Sequence, residues 1–184
     1  MASNRTRALD AAVELVGTVG IRALTHARVD EHAGLPRGST SNSFRTRRAL
    51  VHGVADRIAE LELQLPEFAT TVGPPASADE FVDGLCALLD HLTVTDRTRT
   101  VARLALFLEA SHDPDLRATL IQTGARMESD VVVTMATLGA RDPRTAAAAL
   151  IACCEGFILH RVSLAAPMDP RPMLQAIVDA AIGG

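Results

Sequence analysis

Leu24-Thr25-His26-Ala27-Arg28-Val29-Asp30-Glu31-His32-Ala33-Gly34-Leu35-Pro36-Arg37-Gly38-Ser39-Thr40-Ser41-Asn42-Ser43-Phe44 reads as two short helices joined by a tight turn. Thr25 is a good N-cap for the first, whose inward side is Val29 and Ala33. Gly34 makes the turn and Leu35 plugs beneath it. The second helix is predicted to start at Pro36, where a missing N–H costs nothing. Thr40 and Phe44, four apart, face the core together, which leaves Arg37, Ser39, Ser41, Asn42 and Ser43 outside. Ser, Thr and Asn are poor helix formers because their side chains compete for backbone hydrogen bonds. Such a helix makes sense if it is selected for what it touches, as in a helix-turn-helix whose second helix enters the DNA major groove.

Working outward, the pattern is helical throughout, with about nine helices and no hairpin signal. Helix one follows Ser3 or Asn4, carries Leu9, Ala12, Val13 and Val16 inward, and stops near Gly17 and Gly20. Thr46 caps a fourth helix to about Leu65, and residues 66–77, with Gly73-Pro74-Pro75, form the clearest break. Helix five spans about Ala78 to Val94. Asp96 opens helix six, with Val101, Leu104, Ala105 and Leu108 facing inward. Asp113-Pro114 and Asp142-Pro143 are matching start signals for helices seven and eight. A last helix carries Met173, Leu174, Ile177, Val178 and Ala181. The fold class is therefore all-α, with a helix-turn-helix domain at 1–48 and a helical domain at 49–184.

The 184-residue chain has a net charge of −4, but the charge is unevenly placed. Residues 1–50 hold eight Arg against four acids, and the rest holds ten Arg against eighteen acids. A basic head on an acidic body suits a protein in which only the head meets a polyanion. No apolar run is expected to span a membrane and no secretory leader is read at the start, so the cytoplasm is the expected location. Three cysteines do not make a disulfide framework. Cys153-Cys154-Glu155 with His160 are metal-ligand types, but adjacent helical cysteines point about 100° apart, and no metal or cofactor is expected. A P-loop, a His-Glu-x-x-His motif and a nucleophile elbow are all absent, and the acids read as solvated faces, so no enzyme is expected.

Residues from about 5 to 60 resemble the DNA-binding domain of the TetR (tetracycline-repressor-type) family of bacterial regulators. The matching residues are Leu9-Asp10-Ala11-Ala12, Gly20, Leu24-Thr25, Val29, Ala33-Gly34-Leu35, Arg37-Gly38-Ser39, Phe44-Arg45 and Arg48-Ala49-Leu50. Ser41 stands where the family usually places Tyr, and Ser43 where it has an aromatic residue or His. The resemblance implies a homodimer joined by its last two helices, a ligand cavity among helices four to eight, and repression as the usual mode.

The DNA-contact candidates are Thr25, His26, Arg28, Arg37, Gly38, Ser39, Ser41, Asn42, Ser43, Thr46 and Arg47. Helix starts at Thr25 and Thr46 offer free N–H groups to phosphate. Arg37 is the candidate for reading guanine, the commonest specific contact of Arg. Candidate ligand-lining residues are Leu61, Leu88, Leu92, Leu104, Phe107, Met127, Phe157 and His160. Dimer candidates are Leu150, Cys154, Ile158, Val162, Met173, Ile177 and Ala181. The expected function is a DNA-binding transcriptional regulator, released from a palindromic operator by a small, largely apolar ligand. The alternatives are a dimeric ligand carrier or interaction module that has lost sequence-specific DNA binding, and a DNA binder whose body only dimerises.

Overall fold

The computed structural model describes residues 3–62, 75–165 and 168–183. Among them lie nine α-helices and no strand: α1 (Asn4–Val19), α2 (His26–His32), α3 (Ser39–Ser43), α4 (Arg47–Glu62), α5 (Ala78–Asp90), α6 (Arg97–Glu109), α7 (Pro114–Thr137), α8 (Pro143–Leu164) and α9 (Arg171–Ile182). Most of the expected 66–77 break, and the expected end of the fourth helix at Leu65, fall outside the described residues. Helix five ends earlier than expected, at Asp90, and a π-helical turn occupies His91–Thr95.

The chain packs as two compact units, Met1–Leu63 with Asp96–Ile121, and Gln64–Thr95 with Gln122–Gly184. In the first, α1 lies against α2, α3, α4 and α6. Its core contains Leu9, Ala12, Val16, Leu24, Val29, Leu50, Val54 and Leu106. Ser3 caps α1 through its Oγ, which accepts the Thr6 N–H at 3.1 Å. Gly20 ends the helix at φ +101°, a conformation that side chains resist.

Gly17 is not the expected stop; it lies within α1. A Cβ there would sit 2.1 Å from the Thr98 carbonyl oxygen of α6, so the glycine permits helix-to-helix contact. That contact also explains why the inward face of α6 differs from expectation. Ala102, Leu106 and Ala110, four apart, are buried below Thr98, whereas Leu108 is 76% exposed and Val101 and Leu104 are half-buried. The stripe that continues from Thr98 every four residues faces the core, with Leu106 filling it between two alanines, and Leu108 lies on another face.

In the second unit α9 packs on α5 and α8. Val82, Leu89, Leu150, Phe157, Ile158, Leu174 and Val178 are buried. Arg161 of α8 donates to Asp90 at 2.6 Å and to the Met168 carbonyl at 2.9 Å, while Arg171 pairs with Asp83. Asp142 caps α8 by accepting the Thr145 N–H at 3.2 Å. Contrary to expectation, α8 is long and apolar enough by length and composition to cross a bilayer. Part of that apolar surface is core, and Glu155 and Arg161 interrupt it.

Candidate nucleic-acid interface

The site is built on the turn between α2 and α3. The Thr25 Oγ1 accepts the Arg28 N–H at 3.4 Å, starting α2 as expected, and Arg7 donates to the Ala33 carbonyl at 2.9 Å, covering its end. Helix α3 starts at Ser39 rather than Pro36, so Arg37 lies in the turn. The cause is Gly38, at φ +91°, which no regular helix accommodates.

Gly38 has no side chain with which to cap α3, and Asp30 of α2 does so instead. Its Oδ2 accepts the Gly38 N–H at 2.8 Å, and its Oδ1 accepts the Thr40 N–H at 2.8 Å and the Thr40 hydroxyl at 2.5 Å. Asp30 is 3% exposed, not on the solvated exterior expected for the acids. Burial pushes its carboxyl pKa up, but the three hydrogen bonds outweigh that and the net direction is down. At the other end of α3, His26 Nε2 lies 2.7 Å from the Phe44 carbonyl oxygen. A carbonyl only accepts, so this nitrogen carries the proton.

Thr40 and Phe44 are buried as expected, and Ser41, Asn42 and Ser43 are exposed. Phe44 is locked between Arg5, whose guanidinium carbon lies 4.4 Å from the ring centre, and Gly53 of α4. The serines donate to backbone carbonyls: Ser39 to Pro36 at 2.6 Å, Ser41 to Gly38 at 3.0 Å and Ser43 to Ser39 at 3.4 Å. In this state their free lone pairs match base amino groups, and donation to phosphate requires the hydroxyl to rotate.

The eight head arginines divide evenly. Arg5 stacks on Phe44, Arg7 holds α2, Arg47 donates to the Ile21 carbonyl at 3.0 Å, and Arg48 pairs with Asp113 at 2.9 Å and with Asp115. Among the described residues, Arg22, Arg28, Arg37 and Arg45 are exposed and their guanidinium groups have no partner. Arg22 and Arg45 were not among the sequence candidates; their position at element ends was the only signal. Thr46 caps α4, its Oγ1 accepting the Ala49 N–H at 3.0 Å. Asp113 also pairs with His52 at 2.9 Å, and Arg48 and His52 together hold its pKa well below the carboxylate range.

The ligand candidates are divided between the units. Leu61, Leu104 and Phe107 belong to the first, and Leu88, Leu92, Met127, Phe157 and His160 to the second. Phe107 carries Arg103 over its ring at 5.2 Å, Phe157 and Leu92 are buried, and His160 is exposed. Two open clefts in the first unit, one beside Ser43 and Thr46 and one beside Arg47 and Glu109, include none of them. Of the dimer candidates, Leu150, Ile158 and Val162 are buried within their own unit. Cys154, Ile177 and Ala181 are half-buried and Met173 is exposed. Burial lifts the Cys154 pKa to about 12, so that thiol stays protonated and is a poor metal ligand. Among the described residues no three His, Cys, Asp or Glu side chains converge to hold a metal.

A helical DNA-binding head followed by a helical body defines a transcriptional regulator of the helix-turn-helix class. Residues 76–184 match the family described as tetracyclin repressor-like, C-terminal domain. The chain belongs to the TetR family of transcriptional regulators. Among solved structures it is similar to a TetR family member, SCO1917, from Streptomyces coelicolor A3, at 26% identity and a TM-score of 0.73, covering 98% of this chain and 99% of that one. It is also similar to the multidrug binding protein EbrR complexed with ethidium, at 25% identity and a TM-score of 0.74, covering 98% of each chain. EbrR complexed with proflavin matches at 28% identity and a TM-score of 0.64, covering 98% of this chain and 100% of that one. No curated protein matches the sequence.

Proposed function

We propose that the protein is a cytoplasmic, homodimeric repressor whose residues 1–48 dock on a palindromic operator and whose residues 49–184 dimerise and bind a small, largely apolar effector. The observation that carries the reading is the division of the head arginines. Four hold the fold, and four are free on and around a turn-helix segment that exposes Ser41, Asn42 and Ser43. Arg37 reads guanine O6 and N7, and Asn42 reads adenine. Ser39 and Ser41 reach base edges, and Gly38 lets the backbone approach. Thr25, Arg28, Ser43, Thr46 and Arg47, with Arg22 and Arg45 added, position the head on phosphates. His26 supports this surface through the Phe44 carbonyl.

Two heads on one dimer require an operator with twofold symmetry. The dimer reading rests on α8 and α9, which pack together and leave Leu159 and Leu164 of α8 and Met173 of α9 exposed. Met173, Ile177, Ala181 and Cys154 remain candidates for that face; Leu150, Ile158 and Val162 support it from beneath. The effector reading draws on EbrR, solved with ethidium and with proflavin. Leu61, Leu88, Leu92, Leu104, Phe107, Met127, Phe157 and His160 are the residues to test for contact with it. A thousandfold loss of operator affinity needs about 4 kcal/mol of differential binding between the two states.

Selection of bound sites from random duplexes tests the reading. The expected result is a symmetric consensus with two half-sites, bound with strong salt dependence and released by a small, largely apolar compound. Absence of any enriched sequence at low ionic strength from a verified dimer overturns it.

A further inference from the structure

We infer that Asp30 is a positioning residue for sequence reading: by gripping the Gly38 and Thr40 amides and the Thr40 hydroxyl, it sets the start of α3 and the aim of Arg37, Ser39, Ser41 and Asn42. This rests on the DNA-binding reading of the head. The observations carrying it are geometric. The carboxylate is buried, it accepts three hydrogen bonds at 2.5–2.8 Å, and all three donors belong to the segment that bears the reading side chains.

Helix α3 has five residues and no capping side chain of its own, so its propensity alone cannot hold it. The turn before it contains a left-handed glycine, a position from which the chain can leave in several directions. Asp30 removes that freedom from one end, while His26 holds the other through the Phe44 carbonyl. Both grips come from α2, so α3 moves with α2 as one body. The exposed side chains at 37, 41 and 42 and the half-buried one at 39 contact no part of this clamp with their functional atoms, apart from the back-bonds of Ser39 and Ser41. Aim and chemistry are therefore held by different residues.

The test compares the full chain with Asp30→Asn, Thr40→Val and Thr40→Ser. Three quantities are read: affinity for the selected operator, affinity for an unrelated duplex of equal length, and hydrogen exchange of the Gly38 and Thr40 amides. Asn at 30 places an amide donor against amide donors, Val at 40 removes the hydroxyl, and Ser at 40 keeps it. Asp30→Asn is expected to lower operator affinity about tenfold or more while changing affinity for the unrelated duplex less than about twofold, with an unaltered salt slope. The two amides exchange at least about tenfold faster, and their acceleration exceeds that of the α1 and α4 amides, which follow only the loss of global stability. Thr40→Val follows in the same direction, and Thr40→Ser retains wild-type preference.

If Asp30→Asn does not fold, the Val and Ser pair carries the comparison. A folded Asp30→Asn or Thr40→Val protein with the wild-type operator-to-unrelated ratio overturns the inference, as does equal loss on both duplexes. A wild-type protein with no operator preference defeats the DNA-binding reading instead. Slow exchange of the Gly38 and Thr40 amides that Asp30→Asn abolishes would then still show the clamp.

Discussion

Arg37 stands free on the turn ahead of α3, where neither an acid nor a carbonyl competes for its guanidinium. Arg37→Ala is expected to cost about 1–3 kcal/mol on the selected operator and to relax base preference at one position of each half-site, as read by titration of operator variants. Asp30 answers to a different measurement. Its pKa lies below the ordinary carboxylate value, as does that of Asp113. Each therefore contributes stability that is fully present above the unfolded-state value of about 4 and is lost as pH falls through its folded value. Thermal melts from pH 7 downward should hold level and then fall below about pH 4. Asp30→Asn should be less stable at pH 7 by about 1–3 kcal/mol, seen as a lower melting temperature, with a shallower acid limb.

Among the elements, α1 and α6 show how a missing side chain can decide packing. Gly17→Ala drives a methyl group into the Thr98 carbonyl and is expected to destabilise the head by about 1–3 kcal/mol, measured by urea denaturation. Helix starts were legible because their chemistry is local: Ser3, Thr25, Thr46 and Asp142 each bond an amide three residues on. The inward pair Thr40 and Phe44 was legible for the same reason of spacing. The start of α3 was not, because Pro36 satisfies the first-turn preference while the decisive left-handed Gly38 depends on Asp30, eight residues back. Helix six was turned by its neighbour α1, whose contribution no pattern within residues 97–109 records. Asp30 itself was hidden by its type, since a carboxylate in a charge count looks the same whether solvated or buried. The candidate site was therefore readable in its exposed side chains and unreadable in what supports them.

For the whole molecule, the arginines proposed to meet phosphate set the response to salt. Arg22, Arg28, Arg45 and Arg47 are four per head and eight in a dimer, and if all reach phosphate they imply a log–log slope of about −7. Arg45→Ala should flatten the slope by about two in the dimer, one per head, whereas Arg48→Ala should leave it nearly unchanged, since Asp113 and Asp115 already neutralise that charge. Sedimentation should show a twofold assembly that Leu159→Arg or Met173→Arg breaks, with operator affinity falling alongside.

The grip of Asp30 on main-chain amides makes no demand on which side chains the gripped segment displays. Positions 37, 39, 41 and 42 form an interchangeable cassette: randomising them while keeping Asp30, Gly38, Thr40 and Phe44 gives a library whose members share one scaffold and differ in the duplexes they choose. Retargeting this regulator to a new promoter is thus a matter of four codons, with the body and its chemical sensitivity carried over unchanged.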